Sequence, residues 1–141
     1  MTLTVGPRLE GFFNEVLPAI LTTLNERGAP EMTPVWYEFA DGQIWLNGDK
    51  TRRWLDRMER TGRATFLVMD PTNFWRWVQV YGRVVEASAD PGGEHINRLS
   101  LRYRGQDYRG NRNTRRKLKI EITSVKGADG SPSRDRWDVS G

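Results

Sequence analysis

The stretch PEMTPVWYEFADGQIWLNGDKTRRWLDRMER, residues 30–60, decides the fold that we expect for this chain. Residues 33–39 alternate between two faces with the period of two that is typical of a β-strand. Asp41-Gly42 favours a tight reversal of the chain, and residues 43–47 form a second, aromatic-rich strand. The stretch therefore predicts two strands joined by a hairpin turn, followed by a helix.

The junction between the second strand and this helix is the first candidate site. We expect the helix over residues 49–60, with Asp49 as the N-cap. A helix N-terminus presents unpaired amide hydrogens, and Lys50, Arg52 and Arg53 add positive charge, so the junction can hold a phosphate. The plainer interpretation is a set of solvated surface charges. Basic side chains are unfavourable at this end of a helix, however, which points to an anionic partner.

The rest of the chain predicts four more strands and two more helices. We expect helices at residues 9–17, between Pro7 and Pro18, and at residues 94–103. We expect strands at residues 19–24, 64–69, 75–87 and 117–125. Gly82 inside the long strand indicates a bulge or bend. Six strands joined mostly by short turns favour a mainly β architecture, a small closed or partly closed barrel with short flanking helices.

Composition limits the chemistry that this chain can perform. The 141 residues suit one domain over residues 1–127, and we expect residues 128–141 to be a loose polar tail. The chain has no cysteine, which excludes thiol catalysis and thiolate metal sites, and its single histidine, His95, excludes a multi-histidine metal site. We expect no metal, and we expect His95 to lie on the surface.

Net charge and hydropathy indicate which partners and which cellular location to expect for the protein. The net charge of +4 and a pI near 9.8 predict attraction to anions without identifying them. No apolar run reaches membrane-spanning length and the first residues lack a signal-peptide pattern, so we expect a soluble, cytoplasmic protein with no membrane partner.

Tryptophans and basic residues leave two questions open. Six tryptophans suit either a planar cofactor or stacked nucleobases, although ordinary core packing explains any single one of them. Residues 98–119 hold nine Arg or Lys against one acidic residue, and we expect an irregular basic loop there. This loop is a solvated surface, a nucleic-acid footprint or a docking site for a polyanionic small molecule.

Several short runs, in this order, resemble those of a known family. They are residues 19–24, Gly28-x-Pro30-x-x-x-Pro34-Val-Trp-Tyr, the Lys50-Thr51-Arg52 helix opening, residues 77–86, His95…Leu101-x-Tyr103-x-Gly105-x-Asp107-Tyr108 and Ile120-x-Ile-x-x-x-Lys126-Gly127. Over residues 8–127 the chain resembles the pyridoxamine 5′-phosphate oxidase-like split-barrel family, and within it the coenzyme F420-dependent oxidoreductases. The resemblance implies a six-stranded split β-barrel of the FMN-binding type.

The resemblance also implies a homodimer with two cofactor sites at the subunit interface. The cofactor phosphate maps onto the helix opening, with Arg52 and Arg53 as alternatives. The ring system maps onto Thr33 to Trp36, and part of the long strand comes from the other subunit. A basic groove would suit the lactyl-oligoglutamate tail of F420. The cofactor-binding residues so implied are Thr33, Pro34, Val35, Trp36, Asn47, Lys50, Thr51, Arg52, Arg53, Trp77 and Gln79.

The function implied is transfer of a hydride from reduced F420 to an unsaturated, electron-poor organic substrate. The cofactor carries the redox chemistry, so no catalytic side chain is assigned, and the proton donor is Tyr81, His95 or solvent. Three alternatives stay open: an FMN-binding oxidoreductase of the same fold, a non-catalytic cofactor carrier, and a nucleic-acid-binding barrel. We expect a small-molecule substrate and no nucleic acid.

Overall fold

Antiparallel strands dominate the regular structure of residues 3–141, the part of the chain that the computed structural model describes. Three short α-helices and one 3-10 turn, Pro91–Gly93, accompany them. The helices are α1 Pro7–Phe13, α2 Arg53–Thr61 and α3 Glu94–Arg104. The strands are β1 Thr4–Val5, β2 Ala19–Leu24, β3 Pro30–Val35, β4 Tyr37–Ala40, β5 Gln43–Asp49, β6 Arg63–Asp70, β7 Asn73–Ala89, β8 Arg115–Asp129 and β9 Val139–Ser140.

Seven strands form one curled sheet, in the order β3-β2-β6-β7-β8-β5-β4, and β1 pairs with β9. The two edge strands, β3 and β4, are neighbours in sequence, and only Trp36 separates them. The sheet therefore has to curl until its two edges meet at Trp36. This half-barrel with short helices is the split-barrel fold, as predicted. None of the helices in this part of the chain is long and apolar enough to cross a membrane.

The predicted strand at residues 33–39 is two strands, which raises the six predicted strands to seven in the main sheet. β3 pairs with β2, whereas β4 pairs with β5 at the opposite edge. Val35 and Tyr37 are both buried on either side of the break. The alternation of buried and exposed residues thus continues through Trp36. This alternation indicates which face of a strand is buried, but it does not indicate which strand is the pairing partner.

The bend predicted at Gly82 is present where β7 crosses β8. Tyr81 pairs with Ser124 but Gly82 pairs with Ile122, so β8 carries one extra residue at this point. A Cβ atom at position 82 would overlap Ile120 and the carbonyl of Glu121. Glycine therefore lets the two long strands approach and curl the sheet.

The helix at the predicted phosphate junction begins later than expected. Asp49 is the last residue of β5 and does not cap α2, whose N-cap is Arg52. The Asp49 carboxylate instead accepts hydrogen bonds from the backbone N–H of Thr51 (2.9 Å), from its hydroxyl (2.7 Å) and from the hydroxyl of Thr114 (2.5 Å). An aspartate can close such a local turn in place of a helix cap, and here the turn forms. At the other end, Gly62 caps α2 at φ 70°, as predicted.

The C-terminal residues are packed, so the expectation of a loose tail was wrong. Trp137 stacks on Phe12 with ring centroids 4.8 Å apart and donates to the Trp77 carbonyl (2.9 Å). The Asp138 carboxylate accepts the backbone N–H groups of Arg8 (2.9 Å) and Leu9 (2.8 Å) and so caps α1. The sequence hides this role because a single aromatic residue and one cap carry it in a polar segment.

The core lies between the inner face of the sheet, α1 and α2. Phe12 and Phe13 of α1 and Leu55 and Met58 of α2 are fully or almost fully buried against strand residues such as Val78. Gly48 at the end of β5 has no room for a Cβ atom because the Trp54 ring lies against it. This contact fixes the start of α2 close to β5.

Candidate functional site

A cleft of about 960 Å³ opens where the break between β3 and β4 meets the junction of β5 and α2. This volume lies at the upper end of the range that suits a cofactor or drug-sized ligand. Eight of the eleven predicted site residues line it. They are Thr33, Pro34, Val35, Trp36, Asn47, Thr51, Arg52 and Arg53.

Three predicted residues lie outside this cleft. The Lys50 side chain is exposed, and its backbone N–H donates to the Thr114 carbonyl (2.9 Å). Trp77 and Gln79 lie on the outer face of β7, opposite the buried Val78 and Val80. A single chain therefore cannot bring these two β7 residues to its own cleft, and their predicted role depends on a second subunit.

Four cleft residues that the sequence reasoning missed come from later elements. Arg57 belongs to α2, Tyr103 to α3, Tyr108 to the following loop and Arg115 to the first position of β8. Their side chains converge only because β8 pairs with β5 and α3 covers the break at Trp36. No local sequence pattern reports this convergence.

Three arginines at the cleft lack a carboxylate partner. Within residues 3–141, no carboxylate lies within 4.0 Å of the guanidinium nitrogens of Arg52, Arg53 or Arg115. No side chain caps the first turn of α2, so its amide hydrogens add to the positive charge. This end of the cleft is suited to an anion.

Arg57 provides an independent sign that a ligand or water belongs here. Its side chain is only 4% exposed, and Nη1 donates to Glu31 (2.9 Å) and to the Thr23 hydroxyl (3.3 Å). Its Nε and Nη2 atoms are buried and have no hydrogen-bond partner. Nη2 lies 3.8 Å from the Glu26 carboxylate, which is beyond hydrogen-bond distance. Buried donors of folded proteins are almost always paired, so we expect a water or ligand oxygen beside these two atoms.

The opposite end of the cleft is aromatic and flat. Trp36 stacks on Tyr103 with an angle of 7° between the rings and 5.4 Å between their centroids. The Tyr103 hydroxyl donates to the Leu17 carbonyl (2.8 Å), which fixes the ring, and burial raises the pKa of this tyrosine. A rigid aromatic surface of this kind suits a planar ring system.

His95 is buried, so the expectation of a surface histidine was wrong. It is 4% exposed and contacts Asn47 through Nδ1 (2.9 Å) and Glu38 through Nε2 (3.0 Å). It lies behind Asn47 and does not line the cleft. Tyr81, the other candidate proton donor, is on the outer face of β7 beside Gln79. Neither side chain faces the space in which a ligand would bind.

The basic segment at residues 98–119 is not the irregular loop that was expected. Its first part is the end of α3 and its last part is the start of β8. Arg98 pairs with Glu38, Arg102 donates to main-chain carbonyls, and Arg116 pairs with Glu59. The charges of these three side chains are therefore held by partners within the fold.

Together these features define a site for a ligand with a planar ring and an anionic arm. The aromatic wall and the three arginines without a carboxylate partner among residues 3–141 line one cleft, and the buried Arg57 donors suit an anionic oxygen. No group of three or more His, Asp or Glu side chains suited to a metal occurs among residues 3–141.

Comparison with known families agrees with this geometry. A family model described as pyridoxamine 5′-phosphate oxidase matches residues 5–129. The chain therefore belongs to the pyridoxamine 5′-phosphate oxidase family, a family of oxidoreductases that binds flavins such as FMN. No curated protein matches the chain in sequence.

Solved structures share the fold at low sequence identity. An F420 reductase is 21% identical, with a TM-score of 0.76 over 82% of this chain and 94% of that chain. A conserved hypothetical protein from Mycobacterium tuberculosis is 22% identical, with a TM-score of 0.70 over 97% and 86% of the two chains. HupZ from group A Streptococcus is 14% identical, with a TM-score of 0.64 over 91% and 97%. These similarities establish the fold.

Proposed function

We propose that this protein is an F420H2-dependent reductase that transfers a hydride to an unsaturated, electron-poor organic substrate. The observation that carries the proposal is that one cleft combines a flat aromatic wall with three arginines, Arg52, Arg53 and Arg115, that have no carboxylate within 4.0 Å among residues 3–141. A deazaflavin ring with a phosphate and a carboxylate-rich arm offers the complementary groups. Membership of an oxidoreductase family and the similar fold of an F420 reductase support the same function.

In this proposal the two ends of the cleft have separate tasks. Residues 33–36 border the ring, while Thr51, Arg52 and the first amides of α2 hold the phosphate. Arg53 and Arg115 face the remaining negative charge of the arm. Lys50 stays a predicted phosphate ligand, although its side chain lies outside the cleft of a single chain.

A bound reduced deazaflavin supplies the hydride. The chain's own residues hold the ring against Trp36, bind the anionic arm and keep water out of the closed part of the cleft. His95 does not line the cleft, so the candidate proton donors are solvent and Tyr81, which shares the outer face of β7 with Gln79 and would reach a cleft only from a second subunit. The substrate then needs only room beside the ring and an electron-poor double bond.

The proposal includes a cytoplasmic homodimer with two interface sites. Phe74 and Trp75, at the start of β7, are 71% and 70% exposed, and such large aromatic surfaces are typical of protein contacts. A partner subunit on the outer face of β7 would bring Trp77 and Gln79 towards a second cleft. A chain without cysteine is compatible with the reducing cytoplasm.

An FMN-dependent oxidoreductase is the second candidate, because the matching family binds flavins such as FMN. FMN also has a planar ring and a phosphate, and it differs from F420 in lacking the longer carboxylate arm. Arg53 and Arg115 favour F420 because they extend the positive charge beyond a single phosphate site.

Side-by-side titration with F420 and FMN, followed by fluorescence, tests the proposal. We expect colourless purified protein that binds F420 at least about tenfold more tightly than FMN, a difference of about 1.4 kcal/mol. A yellow protein that prefers FMN would favour the second candidate. Loss of F420H2 absorbance in the presence of an activated enone then separates a reductase from a carrier, which binds the cofactor without turnover.

A further inference from the structure

We propose that His95 is a positioning residue for Arg115 and acts through the side-chain amide of Asn47. The inference rests on the proposed function in one respect, namely that the anionic arm of a cofactor binds at Arg115. His95 does not line the cleft, so any effect on a ligand has to pass through the residues in between.

The first link is the anchor that holds the Arg115 guanidinium. Its Nε donates to Asn47 Oδ1 (2.8 Å), and Nη1 lies 3.4 Å from the Tyr108 hydroxyl. The guanidinium carbon is 5.3 Å from the centre of the Tyr108 ring. Asn47 therefore provides the short hydrogen bond that aims Arg115, and Nη2 is left for a ligand.

The second link is the orientation of the Asn47 amide. A guanidinium can only donate hydrogen bonds, so Asn47 has to present its oxygen to Arg115. Its Nδ2 then donates to Asp90 Oδ2 (2.9 Å) and to His95 Nδ1 (2.9 Å). Asp90 is held in turn by the backbone N–H groups of His95 and Ile96, each at 2.9 Å. Both amide hydrogens of Asn47 are thus used.

The third link is the protonation state of the His95 ring. Since Nδ1 accepts from Asn47, the ring hydrogen sits on Nε2 and is donated to Glu38 Oε1 (3.0 Å). Burial alone would raise the pKa of Glu38, but the hydrogen bonds from His95 and Arg98 and the positive charge of Arg98 lower it to about 2. Glu38 therefore stays ionised and keeps the acceptor side of His95 towards Asn47.

Loss of the acceptor that His95 provides would disrupt this chain of hydrogen bonds in a predictable way. Without an acceptor at the position of His95 Nδ1, one buried Asn47 hydrogen loses its partner. Rotation of the amide would restore that partner only by turning Nδ2 towards Arg115 Nε, where two donors would face each other. Either outcome loosens Arg115 without altering any residue that contacts the ligand.

Two substitutions of the same residue test this inference. His95→Asn places a carboxamide oxygen near the position of Nδ1 and keeps the acceptor for Asn47. His95→Gln places its amide near Nε2, so it can donate to Glu38 but offers Asn47 no acceptor. We expect His95→Gln to raise the Kd of F420, or of FMN if that is the cofactor, about fivefold, and His95→Asn to change it less than about twofold.

Urea unfolding of both variants separates positioning from a general loss of stability. Both lose one hydrogen bond, so we expect similar reductions in unfolding free energy but different affinities. Affinities that follow stability in both variants would overturn the inference. Arg115→Met supplies the second arm of a double-mutant cycle, in which His95→Gln has no further effect on Kd once Arg115 is absent. Additive effects would also overturn it.

A ligand-free measurement decides the inference even if the proposed function fails. His95 is the only histidine of the chain, so ¹⁵N labelling of histidine gives one pair of ring signals. We expect the spectrum of a neutral ring protonated at Nε2, and a ring protonated at Nδ1 would overturn the inference. If the wild-type protein binds neither F420 nor FMN, the proposed function is wrong while this spectrum still tests the role of His95.

Discussion

Arginines that stabilise the fold differ in their contacts from arginines that line the cleft. Arg98, Arg102 and Arg116 all have partners within the protein, either carboxylates or main-chain carbonyls. Arg52 and Arg115 face the cleft without a carboxylate within 4.0 Å among residues 3–141. The difference teaches that the position of a charge is informative only together with its partners. Arginines that are held by carboxylates or main-chain carbonyls stabilise the fold. Arginines that line a cleft without a carboxylate partner are available to a ligand.

The largest effect is expected for the stability of the fold when Arg102 is removed. Its Nη2 donates to the carbonyls of Phe13 (3.0 Å) and Glu15 (2.7 Å), and Nε donates to that of Tyr37 (3.1 Å). Arg102→Met removes these three hydrogen bonds, although the Phe13 carbonyl keeps the Tyr37 hydroxyl as a donor (2.8 Å), and we expect a loss of about 3 kcal/mol in unfolding free energy. Urea unfolding checks this. Arg104→Met, which alters an exposed side chain, is the control, and equal losses would break the comparison.

The next effect concerns Glu38, which binds both His95 and Arg98. Its pKa is lowered to about 2 in the folded state from an ordinary value of 4.5, so its contribution is present above pH 5 and is lost as pH falls towards 2. Glu38→Gln should lower the unfolding free energy at pH 7 by on the order of 2 kcal/mol. The unfolding free energy of this variant should also decrease less between pH 5 and pH 3 than that of the wild-type protein. Parallel pH profiles would contradict this assignment.

Adjacent arginines of β8 provide a matched pair for ligand affinity. Arg115 faces the cleft, whereas Arg116 pairs with Glu59 through a 2.7 Å contact. We expect Arg115→Met to raise the Kd of F420 about twentyfold, which corresponds to about 1.8 kcal/mol. Arg116→Met should leave the Kd within about twofold. Equal changes in the two variants, measured by fluorescence titration, would contradict the division into partnered and free arginines.

The smallest effect is expected at Lys50. Its charge lies near the start of α2, but its side chain is exposed and outside the cleft of a single chain. We expect Lys50→Ala to raise the Kd of F420 about threefold at low salt and less at high salt, because exposed charges are screened. A Kd within a factor of two of wild type at low salt would remove Lys50 from the phosphate site.

Local patterns predicted much of the fold, and the family resemblance implied one wall of the site. Alternation and turn residues predicted the strands and the bend at Gly82, whereas the resemblance supplied the residues of β3 and β5 that line the cleft. The break at Trp36 was not predictable, because burial continues in register across it. Trp137 and Asp138 were missed because their partners lie 60 to 130 residues away along the chain.

The cleft residues of later elements were missed for a related reason. Arg57 looks like an ordinary helix charge, and Arg115 is one of many basic residues in its segment. Which of their donors find a partner depends on the groups that the fold brings near them. That can be read only from three-dimensional contacts, as can the burial of His95 behind Asn47.

We propose that Arg52, Arg53 and Arg115, the cleft arginines without a carboxylate partner among residues 3–141, hold the anionic arm of a deazaflavin. The most direct measurement compares the Kd of F420 with that of its ring and ribityl portion without the phosphate and glutamates. We predict that wild-type protein binds F420 at least about a hundredfold more tightly, and that Arg52→Gln combined with Arg115→Met removes most of this difference. Equal affinities of the wild-type protein for the two compounds would contradict the claim.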